Sequence, residues 1–152
     1  MSKGDIAKSY FEQGYNCSQA VALAFTDEIG MDSNMIARLT GGFGGGMGRM
    51  REVCGTVSGT AFVLSALYGY SDPTDATAKA QLYADVQKVA GEFKDENGSV
   101  VCRELLGLTK SGFDNPQPEK RTDKYYKKRP CGELVKMSAD ILEKFIADNS
   151  QK

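Results

Sequence analysis

Apolar positions along the chain recur at spacings of three and four residues, and no stretch alternates apolar with polar as a half-buried strand would. A first helix is predicted from Ser2 to Gln13, ending at Gly14, and a second from Cys17 to Gly30. The second carries an apolar stripe of Cys17, Ala20, Val21, Ala24, Phe25 and Ile29. A third, short helix follows an Asp32/Ser33 cap and stops at Gly41-Gly42. After a glycine-rich loop, Cys54 opens an uncharged helix that reaches Tyr68 and closes at Gly69. Asp72-Pro73-Thr74 is read as the cap of a long amphipathic helix with Ala76, Ala80, Tyr83, Val86, Ala90 and Phe93 inside, ending before Asn97-Gly98. Ser99 is read as the cap of a short helix with Cys102, Leu105 and Leu106. The polar stretch from Thr109 to Pro130, with its three prolines, reads as a long loop containing one helical turn. It is also the segment expected to be cut first in limited proteolysis. The terminal helix begins at Cys131 and carries Leu134, Val135, Ser138, Ile141, Leu142, Phe145 and Ile146. The pattern predicts an all-α fold, a compact single-domain bundle of about six to eight helices spanning 1–152.

Composition narrows the chemistry. The 152 residues carry 19 basic and 20 acidic side chains, so no global field draws the chain to nucleic acid or anionic lipid. The uncharged run from Val53 to Ser71 is broken by glycines and hydroxyls and reads as a buried helix rather than a membrane span. The polar start after Met1 shows no export signal, and a cytoplasmic location is expected, where ordinary structural disulfides would be reduced. There is no histidine, which removes histidine general bases, Cys–His nucleophile pairs and mixed Cys/His zinc sites.

Cys17, Cys54, Cys102 and Cys131 remain as the chemistry-bearing side chains. Their separations are 37, 48 and 29 residues, with no C-x-x-C, so spacing alone fits no thioredoxin or zinc-ribbon signature. Their placement is more informative. Each falls at the start of a predicted helix and in phase with its apolar stripe. Unpaired N–H groups there favour a thiolate. Arg51, Arg103 and Arg129 lie close in sequence to Cys54, Cys102 and Cys131. Gly55 and Gly59 leave one face of the Cys54 helix bare, either for a close helix crossing or for approach to the sulfur. That face and the glycine loop are expected to bring Cys17 and Cys54 closest together.

The order of these elements resembles the family named for the pattern C_GCAxxG_C_C, whose members are described as redox-active. The first cysteine stands in Gly14-Tyr15-Asn16-Cys17-Ser18-Gln19-Ala20, the central element is Cys54-Gly55-Thr56-Val57-Ser58-Gly59, and Cys102 and Cys131 follow singly. Thr56 stands where the pattern has alanine, and its hydroxyl is expected to bond a carbonyl one turn back. The resemblance implies redox activity carried by the cysteines without defining a reaction.

Gly41 to Gly48 meets neither the Walker nor the dinucleotide-binding pattern. Backbone N–H groups of Gly44, Gly45 and Gly46, with Gly55, are instead candidates to hold an anion or donate to the sulfurs of a cofactor, with Met47 and Met50 nearby. Lys120, Arg121, Lys124, Lys127, Lys128 and Arg129 crowd one segment around Tyr125 and Tyr126. They form either a solvated loop or a docking strip for an acidic redox partner protein. Three function classes follow: dithiol/disulfide or electron-transfer chemistry at the four cysteines; an iron–sulfur cluster or thiolate-bound metal on the same four; or a non-catalytic helical interaction module, with homo-oligomer formation left open.

Overall fold

The computed structural model describes residues 1–109 and 112–150, with the backbone alone at residue 128. Among these residues there are nine helices and no strand, as the apolar spacing predicts. They are α1 (Lys3–Glu12), α2 (Cys17–Leu23), α3 (Thr26–Ile29), α4 (Ser33–Thr40), α5 (Gly55–Tyr68), α6 (Ala76–Asn97), α7 (Cys102–Leu105), α8 (Asp123–Lys128) and α9 (Cys131–Asn149). Side-chain caps set several starts. Ser2 and Asn16 each form a reciprocal capping box, with Asp5 and Gln19, and Asp32 accepts from the Met35 N–H.

Four expectations are corrected. The predicted Cys17–Gly30 helix is split, because the chain leaves helical geometry at Phe25 and the Thr26 hydroxyl takes the Leu23 carbonyl at 2.6 Å. The cap of α6 is Asp75, while Asp72 closes its own turn onto Thr74. The buried stripe of α6 is Leu82, Asp85, Val89 and Phe93; Ala76, Ala80 and Tyr83 face outward, Tyr83 at 56% exposure. The five alanines and one glycine of this largely exposed helix carry little information about its inner face. Likewise Ser99 is not the cap of α7, a place held by Val101; the Ser99 hydroxyl receives the Val101 N–H and bonds Glu104. Of the Thr109–Pro130 loop, residues 110 and 111 lie outside the described residues, and the rest contains α8.

α2 is the central element, packed by α1, α4, α5 and α9. Its Ala20, Val21 and Ala22 are fully buried with Phe11, Phe25, Ile36, Val63, Leu64, Val135 and Leu142. Burial of that many aliphatic and aromatic groups, at about 1.5–3 kcal/mol each, dominates the stabilisation. α1 and α9 run antiparallel, as their cross-links show. The Lys3 N–H donates to Glu143, the Gly4 N–H to Asp140 at 2.7 Å, Lys136 reaches Asp5 and Lys8 reaches Glu133. The exposed ion pairs among them are screened by water and add little stability, but together these links fix the register of the seam. That register delivers the first residue of α9, Cys131, to the end of α1 and the start of α2. Among the described residues, no helix is long and apolar enough to cross a membrane.

Candidate functional site

Three local devices bring the cysteines to one place. The α1–α9 seam carries Cys131 to the start of α2, where Cys17 is the first helical residue. α5 crosses α2 at Gly55 and Gly59. A Cβ on Gly59 would stand 2.9 Å from the Ser18 carbonyl oxygen and 3.2 Å from the Val21 side chain, so this crossing needs a bare face. Cys54, which caps α5, is thereby held beside Cys17. An isolated antiparallel bridge, Val53 to Val101, joins the last two. The Cys54 N–H donates to the Val100 carbonyl at 2.8 Å and the Cys102 N–H to the Glu52 carbonyl at 2.6 Å. All four cysteines, none of them in a disulfide, line one cavity of about 370 Å³. Cys54 and Cys102 are 5% and 7% exposed; Cys17 and Cys131 are half-buried.

The glycine loop is a wall of this cavity. Gly44 and Gly45 line it together with Gly55, whereas Gly46 lies against Cys102, where a Cβ would approach the cysteine Cβ to 2.6 Å. Backbone φ is positive at Gly45, Gly46, Met47, Gly48, Arg49 and Arg51. Glycine adopts that region freely, but for Met47, Arg49 and Arg51 it costs of order 1 kcal/mol each. The left-handed run aims the Gly45 N–H at the Cys17 sulfur. It also turns the Arg51 side chain inward, to 6% exposure, with Nη1 3.7 Å from the Cys102 sulfur and Nε and Nη2 on Asp114.

The thiols are made unequal by their surroundings. Cys17 is pulled down from 9.0 to about 6, chiefly by a hydrogen bond from Cys131. The backbone N–H groups of Gly45 and of Cys17 itself and the charge of Arg121 help, against the cost of burial. Cys131 is pushed up by the same hydrogen bond and by burial. Cys54 is pushed up to about 12 by burial and by the charge of Cys17, with the Thr56 hydroxyl, 3.2 Å from its sulfur, opposing. Cys102 is also raised by burial, against the pull of Arg51. Of the four helix starts expected to favour thiolates, Cys17 alone is lowered, and chiefly by Cys131 rather than by N–H groups; burial raises Cys54 and Cys102, and the hydrogen bond to Cys17, then burial, raises Cys131.

Other sequence expectations shift in detail. The hydrogen-bonded sulfur partner of Cys17 is Cys131, not Cys54, because the α1–α9 register brings them together. The Thr56 hydroxyl faces the Cys54 sulfur instead of a carbonyl one turn back. Sequence neighbours are not spatial partners among the cations: Arg51 serves Cys102 rather than Cys54, Arg103 binds the Met50 and Gly112 carbonyls, and Arg129 pairs with Glu119. The basic strip divides. Lys120, Lys124 and Lys127 face solvent, while Arg121 and Arg129 turn to the cavity with Tyr125. Arg121 stacks 4.2 Å over Phe11 and donates to the Phe11 and Tyr15 carbonyls at 3.0 and 3.1 Å. Arg49, Asp114 and Arg121, absent from the sequence-derived site, emerge only from the fold.

Among the described residues, no group of three or more Cys, Asp or Glu side chains is gathered closely enough to hold a metal ion. The four thiols as arranged are not gathered round a single metal ion.

No curated protein and no solved structure matches the chain. A family model described as "Putative redox-active protein (C_GCAxxG_C_C)" matches residues 15–145, a span that takes in all four cysteines, the glycine loop and the cavity-lining Arg49, Arg51, Arg121 and Arg129. The chain therefore belongs to the C_GCAxxG_C_C family of redox-active proteins.

Proposed function

We propose that the protein carries out thiol–disulfide exchange, with Cys17 as the attacking thiolate and Cys131 as the resolving thiol. The observation that carries this is the asymmetric pair: Cys17 lowered to about 6, hydrogen-bonded to a Cys131 that is raised. A nucleophilic thiol is most effective when its pKa lies near ambient pH, and its partner must keep its proton until needed. The Cys17 thiolate attacks one sulfur of a substrate disulfide, forming a mixed disulfide and expelling a thiolate. Cys131 then gives its proton to that thiolate and attacks the Cys17 sulfur, closing a Cys17–Cys131 disulfide and releasing the second thiolate. A dithiol reductant returns the pair to the starting state. Cys54 and Cys102, protonated at neutral pH, shape the site as neutral neighbours that do not compete for the negative charge.

The test is iodoacetamide alkylation across pH, followed by peptide mass analysis. Cys17 is expected to react first, with a midpoint near pH 6, and diamide oxidation to yield a Cys17–Cys131 disulfide. In C131S the Cys17 midpoint should hold or rise slightly, since serine still donates a hydrogen bond, while the disulfide disappears. A Cys17 that titrates near 9, or oxidation that pairs Cys54 with Cys102 instead, would refute the reading.

A further inference from the structure

The wall of the thiol cavity is cationic. Arg49, Arg51, Arg121 and Arg129 line it, and Glu119, paired with Arg129, is the lining carboxylate. Asp114 stands behind and is shared between Arg49 at 3.3 Å and Arg51 at 3.0 Å, so one carboxylate answers two guanidinium groups. Arg121 is held by backbone carbonyls and aromatic faces, which fix its position without cancelling its charge. A Cys17 thiolate offsets only part of this surplus. The remaining wall is apolar, with Leu105, Leu106 and Leu134, and the volume of about 370 Å³ is at the small end of the range for organic ligands. Guanidinium groups bind carboxylates through parallel N–H pairs, and a half-enclosed site strengthens that attraction relative to water.

We infer that the disulfide reduced at this site is a low-molecular-weight one bearing carboxylates, held by the arginine wall with its sulfurs over Cys17. This rests on the dithiol reading above and adds the substrate class. The chemistry is unchanged: the carboxylate-bearing disulfide is cleaved, both halves leave as thiols or thiolates, and Cys17 and Cys131 are oxidised together. A protein disulfide fits less well, since two of the four sulfurs are buried and the reactive pair is only half exposed.

The experiment offers the reduced full chain three disulfides of similar size: 3,3′-dithiodipropionate, a dianion; 2-hydroxyethyl disulfide, neutral; and cystamine, a dication. Intact insulin serves as a protein disulfide. Formation of the Cys17–Cys131 disulfide is timed by acid quench and mass analysis, and each rate is divided by that of N-acetylcysteinamide thiolate with the same reagent. The normalised rate is expected to be about tenfold higher for the dianion than for the neutral disulfide, lower again for the dication, and to converge at high salt. Folded Arg49→Glu protein should lose most of the preference. Equal normalised rates for the three small disulfides, a preference for cystamine, a higher rate with insulin, or a preference untouched by charge reversal would each overturn the substrate class while leaving dithiol chemistry in place. Failure of every reagent to form the Cys17–Cys131 disulfide would remove the parent reading and this inference with it.

Discussion

At the scale of single residues, Arg51 carries several burdens together: a left-handed backbone, a buried guanidinium, a contact to the Cys102 sulfur and a salt bridge to Asp114. Such a residue persists only where its surroundings over-determine it. Its charge opposes the effect of burial on Cys102. Removing it in Arg51→Ala should therefore push the Cys102 thiol further up and slow its alkylation at pH 8–9. It should also destabilise the fold by about 2 kcal/mol, the cost of stripping Asp114 of one of its two charged partners, with no relief at the backbone because alanine keeps the Cβ. Urea unfolding together with a Cys102 alkylation rate checks both. A variant whose Cys102 reacts faster than in the parent protein would show that Arg51 does not stabilise that thiolate. Contacts of this kind were illegible in the sequence, because Arg51 meets partners 51 and 63 positions away. What could be read was the helical placement of the cysteines, since caps and apolar spacing are local signals. Which sulfur meets which was decided by the α1–α9 register, to which no local signal points.

At the scale of elements, the site depends on how closely backbones approach one another. The Gly55/Gly59 face was legible as a four-residue spacing, and its close-crossing meaning is visible at α2. The same cannot be said of Gly46, whose contact is with a residue of a distant helix. Gly59→Ala places a methyl group 2.9 Å from the Ser18 carbonyl, a backbone atom at the first turn of α2, and should cost about 1–3 kcal/mol by overpacking. Because α2 also carries Cys17, the shift should weaken the Gly45 and Cys131 contacts to its sulfur and move its alkylation midpoint upward. Gly91→Ala is the matched control: it lies in α6 with open space around a new Cβ, and alanine favours helix, so it should be neutral or stabilising. Thermal unfolding of both variants separates packing from propensity; equal melting temperatures would mean that the α2–α5 crossing can relax.

At the scale of the whole molecule, the proposed disulfide joins residues 114 positions apart, near the two ends of the fold. Closing a loop of about that length would restrict the unfolded chain by roughly 4–5 kcal/mol on an entropic account. The reduced form has a compensating advantage, the Cys17 thiolate, whose effect on stability has a definite sign. Its native pKa of about 6 lies below the 9.0 of a free thiol, so between these values the unfolded state binds more protons than the native state. The stability of the reduced protein should then rise from pH 6 to pH 9. Above pH 9 it should fall, because Cys54, raised to about 12, keeps a proton in the native state that the unfolded chain releases. The oxidised protein retains Cys54 but lacks the Cys17 titration. Acidification from pH 8 to pH 5 should therefore widen the stability gap between oxidised and reduced forms, as the reduced form loses its thiolate. Urea unfolding of both forms at pH 5, 6.5 and 8 measures this gap, and Cys17→Ser should flatten the rise in the reduced series. By thermodynamic reciprocity, whatever stabilises the reduced pair makes the disulfide easier to reduce, so the same titration sets the pair's oxidising strength. A gap independent of pH would mean that Cys17 is an ordinary thiol in the native state, and the attacking role assigned to it would have no physical basis.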